Sequence, residues 1–292
     1  MNKVEKKLYP KYFVLPSILV FGIFFMIPLL ASFILAFTSW NIKDVLNPKF
    51  NGIDNFTTLL QNQYFLLAFK NTIIFAVVTT FFIILIGLFL ALMLDSKVLG
   101  KSVIRTVFYL PAVISLVVVG IMFSSLLRMD GLVNSFLEVI GLGSLAKDWL
   151  GNPKTALGTT IVAQIWKWSG FTMAIFLAGL QGIGKEYYEA AKIDGANARQ
   201  MLSHITLPLL APAFTVAITM NAIGGLKVFE QVYVMTNGGP GFSSQVLGTY
   251  IYKSFGEGLL GRSTAMGLLQ FITVGLFSVV LNWLLRKREA QL

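Results

Sequence analysis

The sequence contains few residues that could perform covalent or metal chemistry. It has no cysteine and one histidine, His204, which excludes disulfides, thiolate metal sites and a cysteine nucleophile. His204 has no second histidine or suitably placed pair of carboxylates near it in the sequence, so we interpret it as a surface or interface residue. Gly100-Lys101-Ser102 is similar to the end of a phosphate-binding loop, but Asp95 stands where that loop requires its first glycine. We therefore expect no catalytic residue, no metal site and no cofactor bound by this chain.

Polar residues inside long apolar runs form the second group of candidates, because ionisable side chains in a bilayer are costly and usually functional. Asn221 lies about 18 Å into a run that starts near Leu209, at a helical rise of about 1.5 Å per residue, which places it close to a membrane midplane. Lys227 and Glu230 lie near the outer end of the same run, where snorkelling or mutual pairing costs little. All three are candidates for a functional contact within the apolar region.

The composition is that of a membrane protein rather than a soluble enzyme. The chain has 292 residues, of which 56% are hydrophobic and only 12% charged, and its mean hydropathy is +0.76. Soluble domains carry about 25% charged residues. Residues 73–92 are apolar on every face, which argues against a soluble helical bundle, because the helices of such a bundle are amphipathic.

Six apolar stretches are long enough to cross the bilayer, since a helix of about 20 residues spans about 30 Å of hydrocarbon. The first stretch contains Pro16 and Pro28, which tilt or kink it, and no small-residue cleavage site follows it. We interpret it as a retained span rather than a signal peptide. The sequence therefore predicts an all-α membrane protein with six transmembrane helices. The predicted spans are residues 12–37, 71–94, 105–127, 158–181, 209–235 and 262–285.

The basic residues that flank these spans predict the orientation of the chain. With the N-terminus inside, the cytoplasmic segments hold 13 lysines and arginines, from Lys3 to Arg288, and the longer external segments hold only 8. Both termini are therefore predicted to be cytoplasmic. Much of the net charge of +10 is an orientation signal rather than the mark of a nucleic-acid-binding protein.

The cytoplasmic loop 182–208 is the one substantial loop on its side of the membrane. Its first part, Lys185 to Asp194, consists largely of good helix formers, and Gly195 is a natural helix end. Residues 196–204 are predicted to form a second short helix, and Pro208 suits the first turn of the next span. Two interpretations remain open for this loop. Its alanines leave a slim surface that could enter a groove on a partner, or the loop could rest on lipid headgroups as an amphipathic helix.

The spacing of residues within this loop resembles the EAA loop of bacterial ABC importer permeases. That motif reads E-A-A, three residues, G, nine residues, I-x-L-P, and this chain matches it without a gap or substitution. In that family the loop is a coupling helix that docks into a cleft on a cytoplasmic ATPase subunit. The resemblance therefore implies an ATPase-coupling role for the matching residues. These are Glu189, Ala190, Ala191, Gly195, Ile205, Leu207 and Pro208.

The resemblance extends over almost the whole chain, to sugar-importer permeases of the maltose, glycerol-3-phosphate and multiple-sugar type. Residues 15–40 are similar to the first span of these permeases, and Phe50-Asn51-Gly52-Ile53-Asp54-Asn55-Phe56 to their F-x-G-x-x-N-F loop. Lys70-Asn71-Thr72 resembles the start of their second span, and residues 236–240 the T-x-G-G-P turn after the fifth. Larger members carry two extra spans and a large external domain, and we expect this chain to resemble the compact six-span permeases instead.

The resemblance implies a type I ABC importer permease with both termini in the cytoplasm, formed as a single permease domain over residues 1–292 of a bacterial cytoplasmic membrane. Its expected partners are a second homologous permease, two ATPase subunits that bind ATP and magnesium, an extracytoplasmic sugar-binding protein and the sugar itself. The expected mechanism is alternating access, driven by ATP hydrolysis on the partner subunits. By alignment back from the T-x-G-G-P turn, the resemblance also implies that Asn221, Gly225 and Val228 lie near sugar-contacting positions on one helical face.

Lys167 allows two interpretations. It lies near the midplane of the fourth predicted span, between Trp166 and Trp168. In the functional interpretation, the indoles stack on sugar rings and Lys167 donates hydrogen bonds to the substrate. In the structural interpretation, which we favour, Lys167 pairs with an acceptor on a neighbouring helix or with backbone carbonyl groups.

Other functions explain the sequence less well. A secondary transporter or channel would need no coupling loop, and the spans hold few midplane carboxylates for proton coupling. A membrane-embedded enzyme would need a catalytic constellation that the sequence does not show. An ABC importer permease for a solute other than sugar remains the main alternative.

Overall fold

The computed structural model describes residues 11–95 and 99–289, and it is helical throughout. Within these residues, β-structure is limited to one isolated bridge between Thr38 and Phe50. The helices form two compact units, which are described separately. One contains the described residues up to Asn62 together with Ile251–Phe271, and the other contains Gln63–Tyr250 together with the described residues from Ile272. Lys3, Lys6, Lys7 and Lys97, used above to predict orientation, lie outside the described residues.

Thirteen helices are numbered here in chain order. The first seven are α1 (Tyr12–Leu35), α2 (Asp54–Gln61), α3 (Gln63–Asp95), α4 (Lys101–Val113), α5 (Leu116–Leu126), α6 (Leu132–Val139) and α7 (Ala156–Gln181). The remaining six are α8 (Lys185–Ile193), α9 (Ala198–Leu209), α10 (Ala211–Leu226), α11 (Glu230–Thr236), α12 (Leu247–Gly256) and α13 (Leu260–Glu289).

Helix length and composition agree with the predicted all-α membrane fold. Within the described residues, four helices are long and apolar enough to span a membrane, namely α1, α3, α7 and α13. Two bent pairs, α4 with α5 and α9 with α10, pass the same criterion together, which gives up to six spans. The expected domain organisation and the orientation of the termini stay predictions.

In the first unit, a buried asparagine ties the loop after α1 to the end of that helix. Asn55 donates hydrogen bonds from Nδ2 to the carbonyl oxygens of Ala36 and Thr38, both at 2.8 Å. The rings of Phe37 and Phe56 pack beside this contact, with their centroids 5.1 Å apart. The F-x-G-x-x-N-F pattern therefore has a structural function, because its asparagine satisfies backbone groups that would otherwise be buried without partners.

In the second unit, α7 is the central helix. It packs against α3, α4, α5, α10 and α11, and its buried residues include Met173, Phe176 and Leu177. These side chains form a core with Leu90 of α3 and Ala217 of α10. The polar residues placed on α7 are therefore close to most of the other helices of this unit.

The third predicted span is not one continuous helix, contrary to our expectation. Helix α4 ends at Val113, α5 begins at Leu116, and the two axes differ by 98°. Ile114 and Ser115 have extended ψ angles of 139° and 140°. Extended backbone inside an apolar run exposes carbonyl groups that need partners, and the sequence periodicity contains no sign of where those partners lie.

The fifth predicted span is also divided. Helices α9 and α10 meet at an angle of 63°, and α10 ends at Leu226, before the short helix α11. Between α10 and α11, Phe229 has φ −142° and ψ −68°, which is not a helical conformation. The prediction that Val228 shares a helical face with Asn221 and Gly225 is therefore wrong, because Val228 follows the end of the helix.

Loop 182–208 contains the predicted helix, turn and second helix, although the second helix is longer than expected. Helix α8 ends before Gly195, whose φ of +77° is the left-handed conformation that glycine adopts without strain. Helix α9 then starts at Ala198 with a capping box between Asn197 and Gln200. It continues through a π-helical segment to Leu209, so Pro208 lies near its end rather than at the start of a span.

Asn71 and Thr72, from the motif Lys70-Asn71-Thr72, form hydrogen bonds to the segment that follows the T-x-G-G-P turn. Asn71 Nδ2 donates to the carbonyl oxygens of Ser243 and Gln245, both at 2.9 Å. Thr72 Oγ1 accepts from the backbone N–H of Leu247 at 2.9 Å. Both side chains are buried. This irregular segment is therefore fixed to α3 by three hydrogen bonds.

Helices α4 and α7 approach so closely that one glycine is required between them. A Cβ atom at Gly170 would overlap the carbonyl oxygen and carbon of Phe108. Small residues at such positions allow the backbones of membrane helices to pack tightly. Gly158 lies on the same helix α7, but a Cβ atom there would meet nothing within 4 Å.

We expect Gly170→Ala to destabilise the protein by about 3 kcal/mol, since the added methyl group must push two backbones apart. Gly158→Ala is the matched control and should be neutral or stabilising by up to about 1 kcal/mol through helix propensity. Thermal unfolding of the purified protein in detergent measures both. Equal midpoints for the two variants would contradict this packing.

Candidate functional site

A cavity of about 260 Å³ lies where α5, α7, α10 and α11 meet, and we call it the polar cavity. Four of the six residues predicted to line a substrate pathway line this cavity. They are Asn221, Lys227, Val228 and Glu230. Three polar residues of one apolar run and a valine named through the family resemblance are thus brought together in one place.

Asn221 is held in the cavity wall by two hydrogen bonds. Its Nδ2 donates to Thr172 Oγ1 at 3.0 Å and to the carbonyl oxygen of Ala217 at 2.8 Å. Both amide hydrogens are therefore engaged within the chain. Asn221 is half-buried, and its position is fixed by α7 and α10.

Lys227 and Glu230 do not form an ion pair with each other. Mutual pairing was one of the two arrangements that we predicted for them, the other being snorkelling. Within the described residues, the ion pair found joins Arg128 and Asp130. Lys227 instead follows the carboxyl end of α10, and Glu230 is the first residue of α11. Each charge is stabilised there by the dipole of its helix. Both side chains remain exposed and available to a solute.

Two glutamines that line the polar cavity were not predicted from the sequence. Gln164 is 9% exposed and Gln231 only 1%. The Oε1 atom of each is buried and has no hydrogen-bond partner within the described residues, although Gln231 Nε2 donates to Met235 Sδ at 2.8 Å. In the sequence, each glutamine could have been noticed as a polar amide side chain inside a predicted apolar span. Trp168, half-buried, also lines the cavity.

Gly225 and Lys167, the other two predicted pathway residues, are placed elsewhere. A Cβ atom at Gly225 would lie 2.6 Å from Ala76 Cα, so this glycine packs against α3. Lys167 is 2% exposed, and its Nζ atom donates to the carbonyl oxygens of Pro111 and Ala112 at 3.1 and 3.2 Å and to that of Ile114. These contacts agree with the structural interpretation of Lys167.

The motif residues of segment 182–208 differ in their exposure to solvent. Glu189, Ala190 and Gly195 are exposed, and Ala191 is half-buried. Ile205, Leu207 and Pro208 are half-buried within or beside α9. The motif therefore divides into an exposed first part on α8 and a packed second part on α9.

Two further residues of this segment were missed by sequence reasoning. Tyr188 joins α8 to α9 through a hydrogen bond of 3.1 Å between its hydroxyl group and Thr206 Oγ1. Ile193, at the end of α8, is 87% exposed, which is unusual for a large apolar side chain. An exposed isoleucine beside small alanines forms a surface suited to insertion into a partner.

His204 and the other possible metal ligands do not cluster. His204 Nδ1 contacts Ser203 Oγ at 2.9 Å and the carbonyl oxygen of Gln200 at 3.2 Å. Over residues 11–95 and 99–289, no group of three or more His, Cys, Asp or Glu residues is placed to hold a metal ion.

Comparison with known proteins now identifies the family. Residues 83–289 match the family described as binding-protein-dependent transport system inner membrane component. The chain belongs to this family. It is therefore an inner-membrane permease of an ABC transporter, and the secondary-transporter alternative is not supported.

Two relatives cover most of the permease. The arabinooligosaccharides transport system permease protein AraP of Bacillus subtilis is 34% identical over 284 residues, which cover 94% of this chain and 88% of AraP. The lactose transport system permease protein LacF of Rhizobium radiobacter is 37% identical over 244 residues, which cover 82% of this chain and 81% of LacF.

A solved structure shares the fold of the permease. A bacterial alginate ABC transporter, determined in complex with an alginate pentasaccharide-bound periplasmic protein, contains a chain with a TM-score of 0.81 and 28% identity. The match covers 95% of the permease and 93% of that chain. The architecture is that of a type I ABC importer permease.

Within this permease, Lys167 stabilises the break between α4 and α5. The last carbonyl groups of a helix have no partner within the helix and carry partial negative charge. The ammonium group of Lys167 bonds to three carbonyl groups at this break, and it also lies 5.3 Å from the centroid of the Trp168 ring. Helix α5 begins directly after this break at Leu116, and Leu116 lines the polar cavity.

We expect Lys167→Met to destabilise the permease by about 3 kcal/mol, because three buried or partly buried carbonyl groups lose their donor. Lys167→Gln, which retains an N–H donor, should lose less. Lys154→Met is the control, since Lys154 is exposed. The thermal unfolding midpoints of the three purified variants measure the effect, and a midpoint for Lys167→Met equal to that of Lys154→Met would contradict the assigned role.

Proposed function

We propose that this permease imports a carbohydrate and forms the translocation pathway together with a second, homologous permease. The observation that carries the proposal is the chemistry of the polar cavity. Two relatives of this permease are named for the transport of arabinooligosaccharides and lactose, and the similar solved structure contains a periplasmic protein bound to an alginate pentasaccharide. These names support the same class of substrate.

The polar cavity has the groups that a sugar requires. Sugar hydroxyl groups both donate and accept hydrogen bonds. The Oε1 atoms of Gln164 and Gln231 are buried acceptors without a partner in the described residues, and rotation of either amide toward the cavity would offer an acceptor to a hydroxyl group. Lys227 and Glu230, which are exposed, provide an additional donor and an acceptor. The indole of Trp168 offers an apolar face to the C–H groups of a sugar ring.

The size of the cavity supports a pathway shared with a second permease. About 260 Å³ lies just below the usual range for a small-molecule site, about 300–1,000 Å³. A second homologous chain would contribute the opposite wall. Such a site is shallow, because an external binding protein would supply most of the selectivity and would deliver the sugar to the outer face.

Segment 182–208 supports coupling to a cytoplasmic ATPase. Glu189, Ala190 and Ile193 form an exposed surface of one charge and small or apolar side chains. The contact between Tyr188 and Thr206 joins this surface to α9, and α9 leads into α10. A movement of α8 on the ATPase would therefore reach Asn221 through two joined helices.

The mechanism we propose is alternating access. ATP closes two ATPase subunits, the docked segment 182–208 moves with them, and rigid-body motion of the helices turns the polar cavity from the cytoplasmic side to the outside. ATP hydrolysis on those subunits resets the transporter. This chain contributes the pathway and the coupling surface, and ATP and magnesium bind to the partners. Both termini would lie in the cytoplasm.

We expect Glu189→Lys to reduce ATP-dependent uptake by about tenfold or more and to weaken recovery of the ATPase with the permease, because a reversed charge opposes docking. Glu138→Lys is the matched control, since Glu138 is exposed on α6, outside segment 182–208. Uptake into proteoliposomes and co-purification measure the two effects. Normal uptake by Glu189→Lys would refute the docking assignment.

We expect Gln231→Leu to lower the rate of sugar uptake about five- to tenfold, because one hydrogen bond to the substrate is lost. The thermal midpoint should change little, since leucine removes a buried oxygen that has no partner within the described residues and, with it, the hydrogen bond from Nε2 to Met235 Sδ. Gln61→Leu, at the exposed end of α2, is the control. The substrate in this assay is the sugar bound by the cognate binding protein. Undiminished uptake in Gln231→Leu would remove Gln231 from the pathway.

A further inference from the structure

A second cavity, of about 490 Å³, lies between α4 and α7, and we call it the Arg105 cavity. Its polar lining residues are Arg105, Thr106, Tyr109 and Gln181. Gln181 is the last residue of α7 and immediately precedes segment 182–208. This cavity therefore lies toward the end of the unit from which the proposed coupling segment leaves.

One face of α7 lines both cavities. Gln164, Trp168 and Phe171 line the polar cavity. Ala174, Ala178 and Gln181 line the Arg105 cavity. Successive members of this series are three or four residues apart, so all six lie on one face of the helix. At a rise of about 1.5 Å per residue, the series extends about 25 Å along α7, close to the thickness of the hydrocarbon layer.

An aromatic contact separates the two cavities. Phe171 lines the polar cavity and Tyr109 lines the Arg105 cavity, and their ring centroids are 6.4 Å apart. The Phe171 ring also meets Trp168 edge to face, at 5.7 Å between centroids. A solute that moves along this face of α7 from one cavity to the other must pass the Phe171 ring.

The lining of the Arg105 cavity includes a positively charged side chain and no negatively charged one. Arg105 is the one charged residue among the residues that line it. Its Nε atom is buried and has no hydrogen-bond partner in the part of the chain that the structure describes. A guanidinium group in this position supplies several N–H donors and no acceptor, so it favours hydroxyl oxygens and anionic groups.

We propose that the Arg105 cavity is a second compartment of the translocation pathway, entered past Phe171, in which Arg105 donates hydrogen bonds to hydroxyl or carboxylate oxygens of the sugar. This proposal rests on the proposed function. It narrows the class of substrate to neutral and anionic carbohydrates, because the positive charge of Arg105 would repel a cationic amino sugar on its way to the cytoplasm.

The absence of cysteine from the chain allows a direct test. Ala178→Cys places one thiol in the Arg105 cavity, and Val162→Cys places one on the opposite face of α7, where Val162 is 58% exposed. The whole transporter, with cysteine-free partner subunits, is treated in inside-out membrane vesicles with methanethiosulfonate reagents, one anionic and one cationic. We expect both charged reagents to modify Ala178→Cys and neither to modify Val162→Cys. Failure to modify Ala178→Cys would show that lipid or protein fills the cavity and would overturn the proposal.

The role of Arg105 is tested by adding Arg105→Gln to Ala178→Cys. The ratio of anionic to cationic modification rates should fall about fivefold, because the loss of one positive charge affects the two reagents in opposite directions. Arg128→Gln, which removes an exposed arginine outside the cavity, is the matched control and should leave the ratio unchanged. An unchanged ratio in Arg105→Gln would overturn the assignment. Because the readout is thiol modification, a negative result with normal sugar uptake would refute this compartment and leave the proposed function standing.

Discussion

The structure depends on the requirement that backbone groups inside a membrane find their hydrogen-bond partners within the protein. The break between α4 and α5 leaves carbonyl groups of Pro111, Ala112 and Ile114 without helical partners, and Lys167 supplies donors to all three. Because this contact exists, the chain can turn through 98° inside an apolar region. The turn places Leu116 at the polar cavity and α5 against α11.

Buried asparagines satisfy the same requirement in both units. Asn55 serves two carbonyl groups after α1, and Asn71 serves two in the segment after the T-x-G-G-P turn. These residues belong to the motifs by which the sequence resembles known permeases. Their side chains contact backbone rather than the polar cavity. A motif residue in this chain can therefore be explained by the irregular backbone that it holds, without a role in substrate binding.

The sequence was sufficient to predict the apolar spans and the helix and glycine turn of segment 182–208. It also singled out Asn221, Lys227 and Glu230, which line one cavity in the structure, and their contact with a solute stays a prediction. It was not sufficient to predict the breaks at residues 114–115 and 227–229. Hydrophobicity identifies a stretch that can cross the bilayer, but it does not record whether the backbone inside that stretch is helical. The partner that stabilises the first break, Lys167, lies more than 50 residues away in the chain, so no local pattern could reveal it.

Buried polar groups that have no hydrogen-bond partner indicate where a ligand or another chain could bind. A buried donor or acceptor without a partner costs about 1–3 kcal/mol, so a fold retains it where a ligand or another chain completes it or where the loss is tolerated. Lys167, Asn55 and Asn71 each use their donors on the backbone. The Oε1 atoms of Gln164 and Gln231 and the Nε atom of Arg105 have no such partner within the described residues.

Gln164, Gln231 and Arg105 line the two cavities that open on one face of α7. Amide acceptors in the first cavity and a guanidinium donor in the second match a solute whose hydroxyl groups can donate to one and accept from the other. Three of the nine such atoms in the described residues line these two cavities, on either side of Phe171, which is the arrangement that the proposed carbohydrate path along α7 requires.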